Sequence, residues 1–576
     1  MLKISKAGLI DSEKFENHRK SVANSEKSEV EEVEETVKLT WNNSIEFLMS
    51  CIAVSIGFGN IWRFPFTAYE NGGGAFLIPY IIILFLVGKP FYFLEMILGQ
   101  FSGYSAIKVW SLCPGFIGIG FAQLFSNAAV ASYYTSLMAL TLFFLIASFS
   151  SELPWAKCRD EWGEYCVDSM TKRSTAINAS NFVESTSSYV DDSRVVLQEK
   201  ESIEDGIGLP DWKLTLCLCA SWLTITLVTF QGVKSSGRAS YFLAIFPYII
   251  LISLLGRAVT LEGAIDGILF FVTPKWSKLL EPTVWYAAVT QCFFSLSVCF
   301  GTIITYSSHN DFKHNIYRDV LIVTTLDTIT STMAGCTIFG ILGNLAYEMD
   351  VKDIGNVVRA GAGLAFISYP DAIAKFSFLP QLFSVLFFVM MFVLGVGSSV
   401  GMISGIVTAL NEKFPKIKTW KIVLCVCTPG FLISTIYVTP GGQFILTLVD
   451  YYGTSFVVFI LAAFEIVTVT WIYGTIFPDM LSKPSIYWRI CWLIATPFIL
   501  ITILIYTFVT LSPLTYGGRE YPYVAYICGW IVLGFGILQI PFWMLREFFR
   551  YRKFPPMQPS IPDTSLDLWG PSLLSA

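Results

Sequence analysis

Two short stretches of this chain concentrate polar atoms inside otherwise apolar runs. Ala53-Val54-Ser55-Ile56-Gly57-Phe58-Gly59-Asn60 sets two glycines, a serine and an asparagine at the middle of one run. Ser295-Leu296-Ser297-Val298-Cys299-Phe300-Gly301 sets two serines and a glycine at the middle of another. In hydrocarbon an unsatisfied backbone group costs several kcal/mol, so non-helical backbone persists at depth only where it is buried in protein or lines a site. Helices broken here would offer half-helix N-termini to a carboxylate, and freed carbonyls with Ser or Asn oxygens to a monovalent cation. Either stretch alone reads more simply as an aid to close helix packing. As a pair they fall in the first and sixth apolar runs, five apart, where corresponding members of a five-helix inverted repeat lie.

The elements that position these stretches follow from composition. Of 576 residues, 54% are hydrophobic and only 14% charged, against roughly 25% charged in ordinary soluble domains. That excludes a water-soluble globule and predicts an all-α integral membrane protein. One span needs about 20 apolar residues, and apolar runs occur at about 43–69, 75–102, 116–149, 212–231, 239–257, 283–307, 318–346, 381–411, 418–437, 442–474, 488–511 and 523–547. Twelve transmembrane helices are predicted, so both termini share a side. Lys413, Lys416, Lys418 and Lys421 follow the eighth run, Lys483 and Arg489 mark a later loop, and Arg546, Arg550, Arg552 and Lys553 end the last. Positive loops face the cytoplasm, which places both termini there, in the plasma membrane.

Three regions result: a cytoplasmic tail at 1–42, a twelve-helix domain at 43–547 and a second cytoplasmic tail at 548–576. Glu26, Glu29, Glu31, Glu32, Glu34 and Glu35 make the first tail acidic and solvated, and it reads as disordered. The first apolar run follows without a small-residue cleavage site, which argues against a removable signal peptide. A large loop at about 150–211 falls outside the cell. There Cys158 and Cys166 form a close pair suited to a disulfide in an oxidising compartment, and Asn178-Ala179-Ser180 is an N-glycosylation sequon. Asn42-Asn43-Ser44 also fits the sequon but lies on the cytoplasmic side and stays unmodified. Most other cysteines sit in apolar runs as small hydrophobes. Only three histidines occur, His309 and His314 in a cytoplasmic loop, and no nucleophile constellation or phosphate loop appears, so enzyme activity has no support. Nothing points to nucleic acid; the partners expected are a small-molecule substrate, inorganic ions and the lipid bilayer.

Gly57-Phe58-Gly59-Asn60-Ile61-Trp62-Arg63-Phe64-Pro65, followed by Glu70-Asn71-Gly72-Gly73-Gly74-Ala75-Phe76 and Ile78-Pro79-Tyr80, closely resembles the first two spans of the neurotransmitter:sodium symporters. The likeness continues through Ser132-Tyr133-Tyr134, Gln291 to Thr305, and Gly363-Leu364-Ala365-Phe366 before Tyr369-Pro370. It covers nearly the whole chain apart from the tails and part of the large loop. Within that family the chain is most similar to the nutrient amino acid transporters of insects.

The resemblance implies a five-plus-five inverted repeat with helices 1 and 6 unwound at mid-membrane. It implies that a substrate carboxylate meets backbone N–H groups around Phe58 and Gly59, the Tyr134 hydroxyl and a cation. The ammonium would meet carbonyls near Ser55, Phe294 and Ser295 and the hydroxyl of Ser297. Monoamine carriers of the family have an acidic side chain where this chain has Gly57, so glycine favours a ligand that brings its own carboxylate. Val130, Phe294, Phe300, Ser398 and Met402 would form a mostly apolar side-chain pocket, with Phe300 and Tyr134 as lid, which suits neutral amino acids.

By the same resemblance the first cation would lie among Ser55, Asn60, Ser295 and residue 327. Most members have Asn at that point and this chain has Asp327. Three outcomes stay open: tighter cation binding, an altered choice between sodium and potassium, or protonation that couples the site to pH. Altered cation selectivity is the favoured one. The second cation site would use Ala53, Ile56, Leu394 and Ser398, with Gly397 replacing an oxygen-bearing side chain. Tyr80, Gln291, Ser295 and Ser331 match chloride positions, but Asp327 one turn from Ser331 would repel the anion, so chloride dependence is expected to be partial. Arg63 and Asp450 align as an outer gate, Lys38 and Glu412 as an inner one.

The function this implies is cation-coupled symport of neutral amino acids by alternating access, with sodium or potassium as the driving ion. A transporter-like sensor or escort, or a symporter for another small zwitterion, are the alternatives. A channel would need a continuous polar stripe, whereas polarity here is confined to mid-depth.

Overall fold

The computed structural model describes residues 40–157, 166–167, 183–184, 206–348, 366, 369–374, 376, 379–474, 485–510, 513–516 and 519–553. The chain divides between Thr40 and Trp41, and the helical unit is the second part. Its helices are α1 Ser44–Ser55, α2 Gly59–Glu70, α3 Gly74–Ser102, α4 Pro114–Ala147, α5 Trp212–Thr229, α6 Val233–Val259, α7 Ala264–Val272, α8 Pro282–Leu296 and α9 Thr302–Ser308. They continue as α10 Ile316–Glu348, α11 Tyr369–Ala374, α12 Pro380–Lys413, α13 Thr419–Val438, α14 Gly442–Tyr473, α15 Ile486–Val509 and α16 Tyr523–Arg550. Besides short 3-10 helices at Lys108–Leu112 and Trp276–Leu280, two pairs of two-residue strands occur among the described residues: Cys166–Val167 runs parallel to Val183–Glu184, and Thr515–Tyr516 antiparallel to Arg519–Glu520.

Ten of these helices are long and apolar enough to cross a membrane, and eleven if α1 and α2, bent by 55°, count as one span. The sixth apolar run divides into α8 and α9 around residues 297–301. The sequence did not isolate α7, which is nine residues long and carries too few apolar residues to read as a span. Cys158, Asn178, Lys38 and residues 363–365 lie outside the described residues, as does the side chain of Cys166.

Both breaks have local causes. α1 begins where Asn43 accepts the Glu46 N–H at 2.8 Å, an N-cap that satisfies an orphan donor. It stops at Ile56, whose backbone is extended. The freed Gly57 N–H does not stay bare: it donates to Asn60 Oδ1 at 2.9 Å. α8 ends at Ser297, with φ 54°, and the chain passes through Cys299 at φ 67° and Gly301 at φ 73° before α9. Left-handed backbone costs a non-glycine residue about 1–2 kcal/mol, so Ser297 and Cys299 hold this shape only because their surroundings impose it.

α3, α6, α10 and α12 pack around the broken pair, and α4 reaches it where Tyr134 stacks on Phe58. Phe64 on α2 wedges against Phe76 and Tyr80 of α3, with ring centroids 5.9 and 5.1 Å away, and all three rings are buried. Within a bilayer such rings hold the helices together by close packing rather than by leaving water. Burial separates inner from outer helices: 78% of the apolar window of α3 or α10 is inside the protein, but 22% of that of α16. α16 turns Ile531, Phe535, Leu538 and Phe542 outward, an apolar face that water would disfavour and acyl chains would cover.

Candidate substrate and cation site

The two breaks open onto one cavity of about 280 Å³. Ser55, Gly57, Phe58, Gly59, Val130, Tyr134, Phe294, Ser295, Ser297, Phe300, Ser398 and Met402 all line it. Its walls come from the α1–α2 and α8–α9 breaks, with α4, α12 and α14 supplying the rest.

Gly57 is where the backbone comes closest to its neighbours. A Cβ placed there would lie 2.5 Å from Ser398 Oγ and 2.6 Å from Tyr134 Oη, so these hydroxyls occupy the space a side chain would need. Tyr134 stacks on Phe58 with centroids 4.7 Å apart, and its hydroxyl accepts the Phe58 N–H at 3.0 Å. That N–H is therefore engaged by a side chain of the cavity wall. Phe294 and Phe300 form the opposing apolar wall, with centroids 5.9 Å apart.

Beneath the cavity lies a buried polar knot. Asn60 Nδ2 approaches Asp327 Oδ1 at 2.7 Å, Ser331 Oγ at 2.9 Å and Ser295 Oγ at 3.2 Å. Ser295 Oγ donates to the same Asp327 oxygen at 2.7 Å, and Tyr80 donates to Asp327 Oδ2 at 3.3 Å. An amide nitrogen carries only two protons, so the three oxygens crowd it. Asp327 is fully buried and no basic side chain forms an ion pair with it among the described residues. A buried carboxylate without a cationic partner is costly, and a monovalent cation beside it would relieve that cost. The chemistry of the donor set, one carboxylate, an amide oxygen once Asn60 turns, and hydroxyl and carbonyl oxygens, fits a hard alkali cation. Gln291 sits apart from the knot's centre and donates to the Gly59 carbonyl at 3.4 Å.

At the second expected cation position, Ser398 Oγ donates to the Val54 carbonyl at 3.3 Å. Gly397 lies against α1, since a Cβ there would stand 2.7 Å from the Ala53 carbonyl oxygen. Ile56 and Leu394 face a separate void of about 10 Å³ beside Tyr248 and Thr330. Oxygen ligands here are backbone carbonyls and one hydroxyl, with nothing from position 397.

Arg63 and Asp450 line the main cavity, yet no ion pair joins them among the described residues. Arg63 lies 4.1 Å from the centre of the Phe294 ring, and Asp450 accepts from Tyr133 Oη at 2.6 Å. At the other end, Glu412 accepts from Ser105 N–H and Oγ at 2.8 and 2.7 Å, while Trp41 bridges to α9, its Nε1 donating to the Tyr306 carbonyl at 3.0 Å. Residues that the sequence reading missed also line the cavity, among them Leu137, Thr302, Gln443 and Leu446. Leu137 lies one helical turn from Tyr134, and Gln443 and Leu446 precede Asp450 by two turns and one turn; that spacing was the available signal.

Residues 38–551 match the sequence model of the Sodium:neurotransmitter symporter family. The chain belongs to that family. Among similar proteins, the sodium-dependent nutrient amino acid transporter 1 of Drosophila willistoni is 55% identical over 548 residues, covering 90% of this chain and 85% of that protein. The protein of the same name from Drosophila melanogaster is 52% identical over 564 residues, covering 93% and 88%. That from Drosophila ananassae is 51% identical over 598 residues, covering 96% and 92%. Symporters of this family are transporters, not enzymes.

Proposed function

We propose that this chain imports neutral amino acids across the plasma membrane, coupling their inward movement to sodium by alternating access. The observation that carries the reading is the cavity at the two breaks, with N–H donors at one wall and the Asp327 knot beneath. A zwitterion supplies both the carboxylate that no side chain provides at Gly57 and the ammonium that freed carbonyls accept. The names of the insect relatives support an amino acid as cargo and sodium as the coupled ion.

In this reading α1 with α2, and α8 with α9, are the first and sixth of twelve spans, arranged as a five-plus-five inverted repeat followed by two further helices. Both termini face the cytoplasm. The Arg63–Asp450 pair closes above the loaded site, and Lys38 with Glu412 acts on the cytoplasmic side. Cys158 and Cys166 form a disulfide and Asn178 is glycosylated in the outward loop. Moving one charge with the membrane potential supplies roughly 2.3 kcal/mol per 100 mV, enough to accumulate substrate against its gradient.

The first cation uses Ser55, Asn60, Ser295 and Asp327. To coordinate it, the Asn60 amide turns its oxygen inward and gives up the Gly57 N–H, which is then free for the substrate carboxylate. Cation and substrate thereby favour each other. Because Asp327 already takes the hydroxyls of Ser295 and Tyr80 that chloride would use, chloride dependence is partial. The carboxylate also alters the choice between sodium and potassium. The test is electrophysiology in a heterologous cell with a panel of amino acids under sodium, potassium and chloride replacement. Inward currents evoked by neutral amino acids and carried by sodium support the reading. Absence of currents and of uptake with protein at the surface would favour a sensor or escort.

A further inference from the structure

A second buried cluster lies outside the cavity. Glu95 on α3, Cys299 in the break between α8 and α9, and Glu465 on α14 bring a carboxylate oxygen, a thiol sulfur and another carboxylate oxygen within 4.8 Å of one another. None of the three lines the substrate cavity. Both carboxyl side chains are 0% exposed.

Each carboxyl group is anchored through one oxygen. The Cys299 N–H donates to Glu95 Oε1 at 2.8 Å, and Gln123 Nε2 donates to Glu465 Oε2 at 2.6 Å. Trp110 Nε1 donates to Gln123 Oε1 at 3.5 Å, which keeps the amide's NH₂ turned toward Glu465. The other two oxygens, Glu95 Oε2 and Glu465 Oε1, are buried and receive no N–H or O–H, and the donor beside Glu465 is the weak Cys299 S–H. The titratable groups that face the pair are the Cys299 thiol from the break and Tyr92 on α3; no basic side chain acts on either carboxyl among the described residues.

Two carboxylates this close in a low-dielectric interior do not both ionise, because neither solvent nor a counter-cation offsets their repulsion. A buried acceptor left bare costs free energy as well. One proton held by the pair removes the repulsion and gives one bare oxygen a bond. A resident metal ion fits less well: one free oxygen from each carboxyl and a single thiol fall short of a closed four-ligand set.

We propose that Glu95 and Glu465 share one proton, taken from water, and that this site couples pH to the α8–α9 break. The coupling runs through the Cys299 N–H, since Glu95 holds the left-handed turn between Phe294, Ser295 and Ser297 on one side and Phe300 on the other. Loss of the proton sets two anions against each other and loosens that turn. Substrate affinity is therefore highest with the proton bound and falls as the medium becomes alkaline. The effect on substrate rests on the transport reading above; proton binding itself does not.

Infrared spectroscopy of the purified full-length protein tests the site directly. A protonated-carboxyl stretch is expected at neutral pH, shifted in Glu95→Gln and in Glu465→Gln and diminished in the double variant. A wild-type spectrum without that stretch, a double variant that keeps it in full, or a stretch that appears only after metal chelation overturns the proposal. In the same preparations, the affinity for a neutral amino acid is expected to fall about tenfold from mildly acidic to mildly alkaline medium in wild type and to stay flat in Glu465→Gln. A Glu465→Gln profile parallel to wild type overturns the coupling. Were the stretch to behave as described in a protein that bound no amino acid, the transport reading would fail and the proton site would stand.

Discussion

Asn60 and Asp327 meet at 2.7 Å across 267 residues of chain, and the Asp327 oxygen that receives the amide also receives Ser295. One buried carboxylate oxygen thus ties the α1–α2 break to the α8–α9 break through α10. Charge-assisted hydrogen bonds of this kind are shorter and stronger than neutral ones. The substitution Asp327→Asn keeps the shape and removes the charge. The half-saturating sodium concentration should rise about tenfold, a change of about 1.4 kcal/mol, and chloride dependence should strengthen. Substrate-evoked currents across sodium and chloride series measure both, and unchanged ion dependence would count against a role for the carboxylate.

Gly57 leaves no room for a side chain between Ser398 and Tyr134. Gly57→Ala pushes the Tyr134 hydroxyl off the Phe58 N–H and narrows the place of the substrate carboxylate. Misplacing such contacts by about 1 Å can cost on the order of a hundredfold in rate, so amino acid uptake should fall by about that factor while surface expression persists. Uptake normalised to surface protein is the readout; wild-type uptake would remove Gly57 from the site.

Asp450 is held by Tyr133 and stands apart from Arg63 in this structure. On the proposed gating, closing the outer pair occludes the loaded site and is not needed to load it. Asp450→Asn should therefore leave binding of a neutral amino acid within a few-fold of wild type and lower uptake at least about tenfold, since an interaction with a charged partner contributes roughly 1.5–3 kcal/mol. Equal losses of binding and uptake would show that Asp450 acts on substrate directly.

Gly301 sits at φ 73°, and a Cβ there would run into Ala106. Gly301→Ala should lower stability by at least about 1–2 kcal/mol, the cost of left-handed backbone for an alanine. Thermal unfolding of the detergent-purified protein checks this. An unchanged midpoint would mean the break relaxes at no cost.

Much of this site was legible in the sequence because glycine, serine and asparagine are conspicuous among apolar residues. Gly57, Gly59 and Asn60, and Ser295, Ser297 and Gly301, mark the two places where helix stops. Leu137 and Thr302 were not legible, since a leucine or threonine in a membrane helix has many ordinary reasons to be there. Glu95 and Glu465 each look like a lone acid in a long helix; only the packing of α3 and α14 around Cys299 brings them together. The short helix α7 was missed because nine residues give too little periodicity to separate from a connecting loop.

At the centre of the account is a zwitterion held by two broken helices beside a cation. Equilibrium binding of a neutral amino acid to the purified protein, with and without sodium at constant ionic strength, addresses it most directly. The account predicts that sodium raises the affinity at least about fivefold and that the amino acid raises sodium affinity by the same factor. Equal affinity in the presence and absence of sodium would contradict it.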